Sequence, residues 1–237
     1  MDHAIKSGQD TSDVQPAAVV GSPYTHLIWD FNGTVLDDVD VCMECINRML
    51  VKRGLPVFSE REQYRNCFRF PVIDYYRAVG LDLEREDYYT VLAPEWITYY
   101  RASEMRCGTV SGVRDALLRM REAGIRQVLL SATREDQLHE QANRLGIACC
   151  FDEIVGNNNI HAAGKTHLVR AWTRSNPDAH PLFIGDTVHD AEVADAVGAD
   201  CVLYTGGHQS VQRLSGTGKP LIQRMEELDK LVLAVEP

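Results

Sequence analysis

Short apolar runs alternate with amphipathic stretches through most of this chain. The first run, Leu27-Ile28-Trp29, stops abruptly at Asp30, Asn32, Gly33 and Thr34. Similar runs recur at 127–130, 151–155, 182–184 and 201–204, each short enough to be a buried strand. Between them, apolar residues at helical spacing predict helices over 113–123, 134–144, 166–174 and 191–197, with Gly124 and Gly146 as stops and Thr133 as a cap. Strands alternating with helices imply right-handed βαβ units on a parallel sheet, and hence an α/β fold.

The stretch from about 40 to 107 breaks this alternation. Positions 39–53 carry an apolar stripe that ends at Gly54, with Pro56 just beyond. Ser59 to Glu62 has the form of a capping box. Pro71 suits the first turn of a helix running towards Gly80, and Pro94 predicts a kink or a break between two helices. The pattern therefore divides the chain into a polar leader at 1–22, an α/β core formed by 23–39 and 108–237, and a helical insert at 40–107.

With 237 residues, the chain has room for such a core and a smaller insert. Its formal net charge of −10 argues against general nucleic-acid binding, which needs clustered cations. No apolar run reaches the ~18 residues of a membrane span. The leader has neither a basic start nor an apolar stretch, so no secretory signal is expected there. Seven cysteines without an export signal imply reduced thiols and a cytoplasmic setting. Cys42 and Cys45 spell C-x-x-C but fall at helical spacing with Ile46 and Met49, which reads as packing. Gly164-Lys165-Thr166 resembles the end of a P-loop, yet position 159 is Asn where that loop needs Gly; Gly218-Lys219 fails the same test at Arg213.

Ligands of open parallel sheets bind beyond the carboxyl ends of the strands. There the sequence offers Asp30, Ser131, Gly185-Asp186 and, four residues on, Asp190. Each has a plain reading as a turn or helix cap, and Lys165 alone reads as a solvated lysine. Taken together and in order, "DFNGTV", "LLSAT", Lys165 in "AAGKTHLV" and "FIGDTVHDAEVADAVGA" resemble the four motifs of the haloacid dehalogenase superfamily. The resemblance spans about 24–204 and is nearest the phosphoglycolate-phosphatase-like branch with a helical cap.

That resemblance implies a Rossmann-like core with 40–107 as the cap. It also implies Mg²⁺-dependent hydrolysis of a small phosphorylated metabolite. Asp30 would be the nucleophile that forms an aspartyl-phosphate. The Asp30 and Asp186 side chains and the Asn32 backbone carbonyl would hold Mg²⁺, while Asp190 would hold a metal-bound water or orient Lys165. Ser131 and Lys165 would contact the phosphoryl oxygens, with Thr34 and Ala132 among the substrate contacts. In the cap, Arg65 and Arg69 flank a predicted loop and would pair with a substrate carboxylate or second anion; the plain alternative is a solvated helix face. Oligomeric state is left open.

One position departs from the family pattern. The superfamily's phosphatases usually carry a second Asp where this chain has Asn32, and that Asp serves as general acid and base. An amide does neither, although Asn before Gly is also simply a good turn residue. Two further readings follow: a phosphate-binding or regulatory protein with vestigial activity, and a C–P or C–halogen cleaving enzyme. Phosphonate-cleaving relatives use a cap lysine as a Schiff base, and Lys52 is the lysine available.

Overall fold

A computed structural model describes residues 22–158 and 164–233. The polar leader, apart from its last residue, lies outside them. A six-stranded parallel sheet forms the centre. Its strands are β1 (His26–Trp29), β4 (Arg126–Arg134), β5 (Glu153–Asn157), β6 (Pro181–Gly185), β7 (Asp200–Tyr204) and β8 (Leu221–Ile222). They lie in the order β5-β4-β1-β6-β7-β8, so β1 is central and pairs with both β4 and β6. The α/β core predicted from the alternating pattern is thus present.

Alternation along each strand sends side chains to opposite faces. Leu27, Trp29, Leu129, Ile184 and Val202 enter one buried cluster with helices α1 (Val39–Lys52), α5 (Val113–Glu122) and α6 (Glu135–Arg144). Ile28, Val128, Leu130, Phe183 and Leu203 enter the other, under α7 (Thr166–Ser175) and α8 (Val188–Asp195). Burying Leu27, Ile28 and Trp29 contributes roughly 5–9 kcal/mol. That outweighs an effective penalty of several kcal/mol for ending the strand in a carboxylate, which Lys165 also offsets.

The chain leaves the core at β2 (Leu36–Asp37) and returns at β3 (Gly108–Thr109), and these two short strands pair antiparallel. Between them lie the helices α1, α2 (Arg61–Cys67), α3 (Val72–Ala78) and α4 (Ala93–Arg101). A π-helical turn at Tyr88–Leu92 runs directly into α4, whose first turn accommodates Pro94. Arg53 ties the segment together through ion pairs to Glu86 at 2.5 Å and Glu95 at 2.7 Å.

Two capping expectations are corrected. The helix after Ser59 starts at Arg61 without a side-chain cap, and Gln63 rather than Glu62 reaches back to the Ser59 amide. Thr133 does not cap α6, because β4 continues through Arg134 and the Thr133 hydroxyl is used elsewhere. Cys42 and Cys45 are buried in α1, in agreement with packing. Among the described residues, no helix is long and apolar enough to cross a membrane.

Candidate active site

Residues at or just beyond the carboxyl ends of β1, β4 and β6, with Lys165 directly before α7, line one cavity. Asp30 follows β1 directly, and its backbone N–H donates to the Ile184 carbonyl at 2.8 Å, which fixes it against β6. At the end of β6, Gly185 leads into Asp186, and Thr187 caps α8 in a reciprocal capping box with Asp190. The plain reading of this stretch as a helix cap is therefore also true, and the cap is what places Asp190. Its Oδ2 accepts from the Asp186 and Thr187 amides and the Thr187 hydroxyl at 3.1, 2.9 and 2.6 Å.

Beyond Leu130, β4 takes four steps to reach Arg134 while β5 takes two from Val155 to Asn157. The extra backbone carries Ser131, Ala132 and Thr133 out of regular pairing and onto the cavity. There Ser131 Oγ and the Thr133 hydroxyl are 3.1 Å apart, and the Thr133 amide donates to Ser131 Oγ at 3.1 Å.

Lys165 is 5% exposed and bridges two carboxylates, pairing with Asp30 and with Asp190 Oδ1 at 2.5 Å. Burial alone would lower its pKa, but Asp190 and Asp30 outweigh that and raise it, so the lysine is cationic. Burial pushes the Asp30 carboxyl up; Lys165 opposes this, while Asp190 and Asp186 reinforce it. Burial likewise raises Asp186, with His208 opposing and Asp190 reinforcing.

Asp30, Asp186 and Asp190 present oxygens within 4.8 Å of one another. Three carboxylates facing one lysine form an all-oxygen set with excess negative charge, which fits a hard divalent cation. Asp186 is set rigidly for that role. Its Oδ1 accepts from the Thr34 hydroxyl at 3.0 Å and its Oδ2 from the His208 amide at 2.6 Å. Gly33, at φ 77°, and Gly207 crowd it so closely that a Cβ at either would fall within 2.4 Å of Asp186 Oδ2.

A second network, not foreseen from the sequence, lies beside this one. Asp38 is 1% exposed and accepts from the Asn32 side-chain amide at 2.8 Å, the Gly33 amide at 3.0 Å and the Tyr100 hydroxyl at 3.0 Å. His208 Nε2 lies 3.1 Å from its Oδ1, and the other ring nitrogen is 2.9 Å from the Tyr64 hydroxyl. Burial alone would lower the His208 pKa, but Asp38 outweighs it and lifts it to about 9. Burial alone would raise Asp38; His208 and the hydrogen bonds from Asn32 and Tyr100 hold it below its ordinary value. On its far side Asn32 accepts from the Thr133 hydroxyl at 3.2 Å. The signals available were a Gly-Gly-His after β7 and a second acid six residues beyond Asn32.

The structure thus brings Asp30, Asn32, Ser131, Ala132, Lys165, Asp186 and Asp190 to one cavity. Thr34 and Arg69, expected to contact substrate, are not among the described lining residues of that cavity. Thr34 is fully buried behind Asp186, and Arg69 Nε donates to the Cys67 carbonyl at 3.0 Å, outside the described lining. Arg65 is likewise turned onto the Gly206 and Gly207 carbonyls. Lys52 pairs with Glu95 at 3.1 Å with its side chain 61% exposed, away from the cavity.

Residues 27–204 match the family model described as haloacid dehalogenase-like hydrolase. The chain is 23% identical over 206 residues to a phosphoglycolate phosphatase of Pseudomonas putida, covering 83% of this chain and 75% of that protein. It is 24% identical over 213 residues to tyrosine-protein kinase PtkA of Mycobacterium tuberculosis, covering 86% and 70% respectively. A solved haloacid dehalogenase-like hydrolase from Streptococcus pneumoniae superposes with a TM-score of 0.73 at 18% identity, covering 86% of this chain and 96% of that one.

Proposed function

The chain belongs to the haloacid dehalogenase-like hydrolase family, and from that premise we propose that it is a Mg²⁺-dependent phosphatase of a small phosphorylated metabolite. One observation carries the reading: Asp30 ends the central strand ion-paired to Lys165, with Asp186 and Asp190 close by, on an open cavity. The phosphatase name borne by one relative agrees with it.

Asp30 attacks phosphorus in line with the leaving oxygen, and an aspartyl-phosphate forms on its side chain. The Asp30 and Asp186 side chains and the Asn32 backbone carbonyl would hold Mg²⁺, which supplies charge compensation between anionic nucleophile and anionic substrate. Lys165 neutralises charge developing on the phosphoryl group, and Asp190, pinned by three donors, keeps that lysine aimed at Asp30. Ser131 donates to a phosphoryl oxygen. The helical insert, acting as a cap, closes over the cavity and excludes water.

Asn32 favours a second reading in which turnover is slow. Its amide supplies no proton to a leaving group and takes none from water. A persistent phosphoenzyme would then suit a phosphotransfer or regulatory role, and one relative is named a kinase. Cleavage of phosphonates through Lys52 has no support, since that lysine is away from the cavity.

The test is an activity panel with and without Mg²⁺, across phosphate esters, a phosphonate and a haloacid, with trapping of the phosphoenzyme. Metal-dependent phosphate release is the expected result. A phosphoenzyme that discharges to added alcohols but scarcely to water would favour the second reading, and no phosphoryl chemistry at all would refute both.

A further inference from the structure

The cavity over Asp30 has a volume of about 610 Å³. That is the size of a drug-like ligand site, and a two-carbon phosphate ester would leave most of it empty. Its character changes with distance from Asp30. The sheet end carries Lys165, Ser131 and the carboxylates, whereas the helical insert contributes Phe68, Phe70, Tyr76, Tyr88, Trp96 and Ile97. Among the described lining residues of the insert, the charged ones are Arg101 and Glu104, opposite in sign. Arg65 and Arg69 are spent on backbone carbonyls outside it. On the core side the described lining adds Arg134, which is paired with Asp136.

The apolar wall is built to accept flat groups. Trp96 lies parallel to Tyr100, with ring centroids 4.9 Å apart and planes at 15°. The Phe70 ring packs 5.1 Å from His189 of the core, and thereby joins the two sides of the cavity. Phe70 and Ile97 remain 41% and 43% exposed, and apolar surface of this kind is unfavourable in water until something covers it.

We propose that the substrate is a small aryl phosphomonoester, its phosphate held at Lys165 and Ser131 and its ring among Phe68, Phe70, Tyr88 and Trp96. The proposal rests on the phosphatase reading above and accounts for the missing acid at position 32 in the first half-reaction. A carboxylate oxygen of Asp30 bonds to phosphorus, the bond from phosphorus to the aryl oxygen breaks, and its electron pair leaves on that oxygen. The ring delocalises the charge, so the phenolate departs without a donated proton and then takes one from solvent water. A second water attacks the aspartyl-phosphate, gives its proton to solvent, and frees Asp30 and inorganic phosphate. The products are a phenol and phosphate, and an acid at position 32 is not needed to expel the phenolate.

Three substrates test this: phenyl phosphate, a fluorinated alkyl phosphate whose alcohol is as acidic as phenol, and acetyl phosphate. The acidity match removes leaving-group ability as an explanation. Phenyl phosphate should exceed the matched alkyl ester in kcat/KM by about 10–100-fold, the worth of burying one ring. Trp96→Ala should lower the phenyl-to-acetyl ratio by about 10-fold. Phe70→Ala, at an exposed position, should lower it in the same direction and guards against a folding defect in the first variant. Equal rates on phenyl and matched alkyl esters, with acetyl phosphate still cleaved, would overturn the aryl assignment and leave the phosphatase reading intact. Failure on all three would overturn both.

Discussion

The side-chain amide of Asn32 donates to Asp38 across 2.8 Å, inside a network that Asp38 also shares with Tyr100 and His208. Asn32 is therefore more than a turn former. Its N–H satisfies a buried carboxylate, and a carboxylate in its place would face Asp38 as a like charge.

Asn32→Asp should raise the pKa of the new acid strongly, because two adjacent carboxylates do not both ionise readily. A carboxyl whose folded pKa is raised stabilises at low pH and costs stability as pH rises above its unfolded value of about 3.9. The variant should match the parent in thermal stability near pH 4 and fall below it at pH 8. Turnover of alkyl phosphates should rise within the roughly 10²–10⁴-fold range of general acid–base groups. A stability loss equal at both pH values would contradict the electrostatic account.

Asp30→Asn should reduce turnover by roughly 10⁴-fold or more while the fold persists, since Lys165 keeps Asp190 as a partner. Steady-state rates and circular dichroism on the same preparation check both halves. Substantial residual hydrolysis would place the nucleophile elsewhere.

Thr34→Val removes the hydroxyl that holds Asp186 and keeps the shape of the side chain. Mg²⁺ affinity, read by calorimetry without substrate, should weaken about 10–100-fold, as is usual for groups that orient a ligand. Asp186→Ala should abolish the binding signal. An unchanged affinity in both would move the metal site.

His208→Gln tests the buried ion pair through pH. With its folded pKa raised to about 9, His208 contributes stability in full below its unfolded value near 6.5, and that contribution is lost as pH rises through about 9. Asp38, held low, contributes above its own unfolded value and loses this in acid. Unfolding of parent and variant should therefore differ most at pH 5–6.5, by roughly 3–5 kcal/mol, and converge near pH 10. A gap independent of pH would mean that His208 acts by packing alone.

The sheet and the cavity-lining residues at its strand ends were legible because each rests on local pattern. Leu27 to Trp29 announce a buried strand, and Asp30, Ser131 and Asp186 sit where such strands end. The course of β4 through Thr133 and Arg134 was hidden by their polarity. Asp38 and His208 were illegible for a different reason: they meet across 170 positions, and nothing near either one signals the other. Arg65 and Arg69 were ambiguous because an arginine in a loop has no local mark telling whether it meets a substrate or a carbonyl.

The central place of β1 has a consequence during synthesis. Lys165 follows Asp30 by 135 positions, and both of β1's sheet partners, β4 and β6, also lie far downstream. At roughly 5–20 residues per second, the nascent chain carries Asp30 without its lysine for roughly 7–27 s. Through that interval Leu27, Ile28 and Trp29 are an apolar segment with at most one edge paired, until 181–185 are made. Elongation speed between β4 and β6 thus sets how long the ribosome holds an exposed strand, and a pause there would lengthen the window for chaperone capture or aggregation.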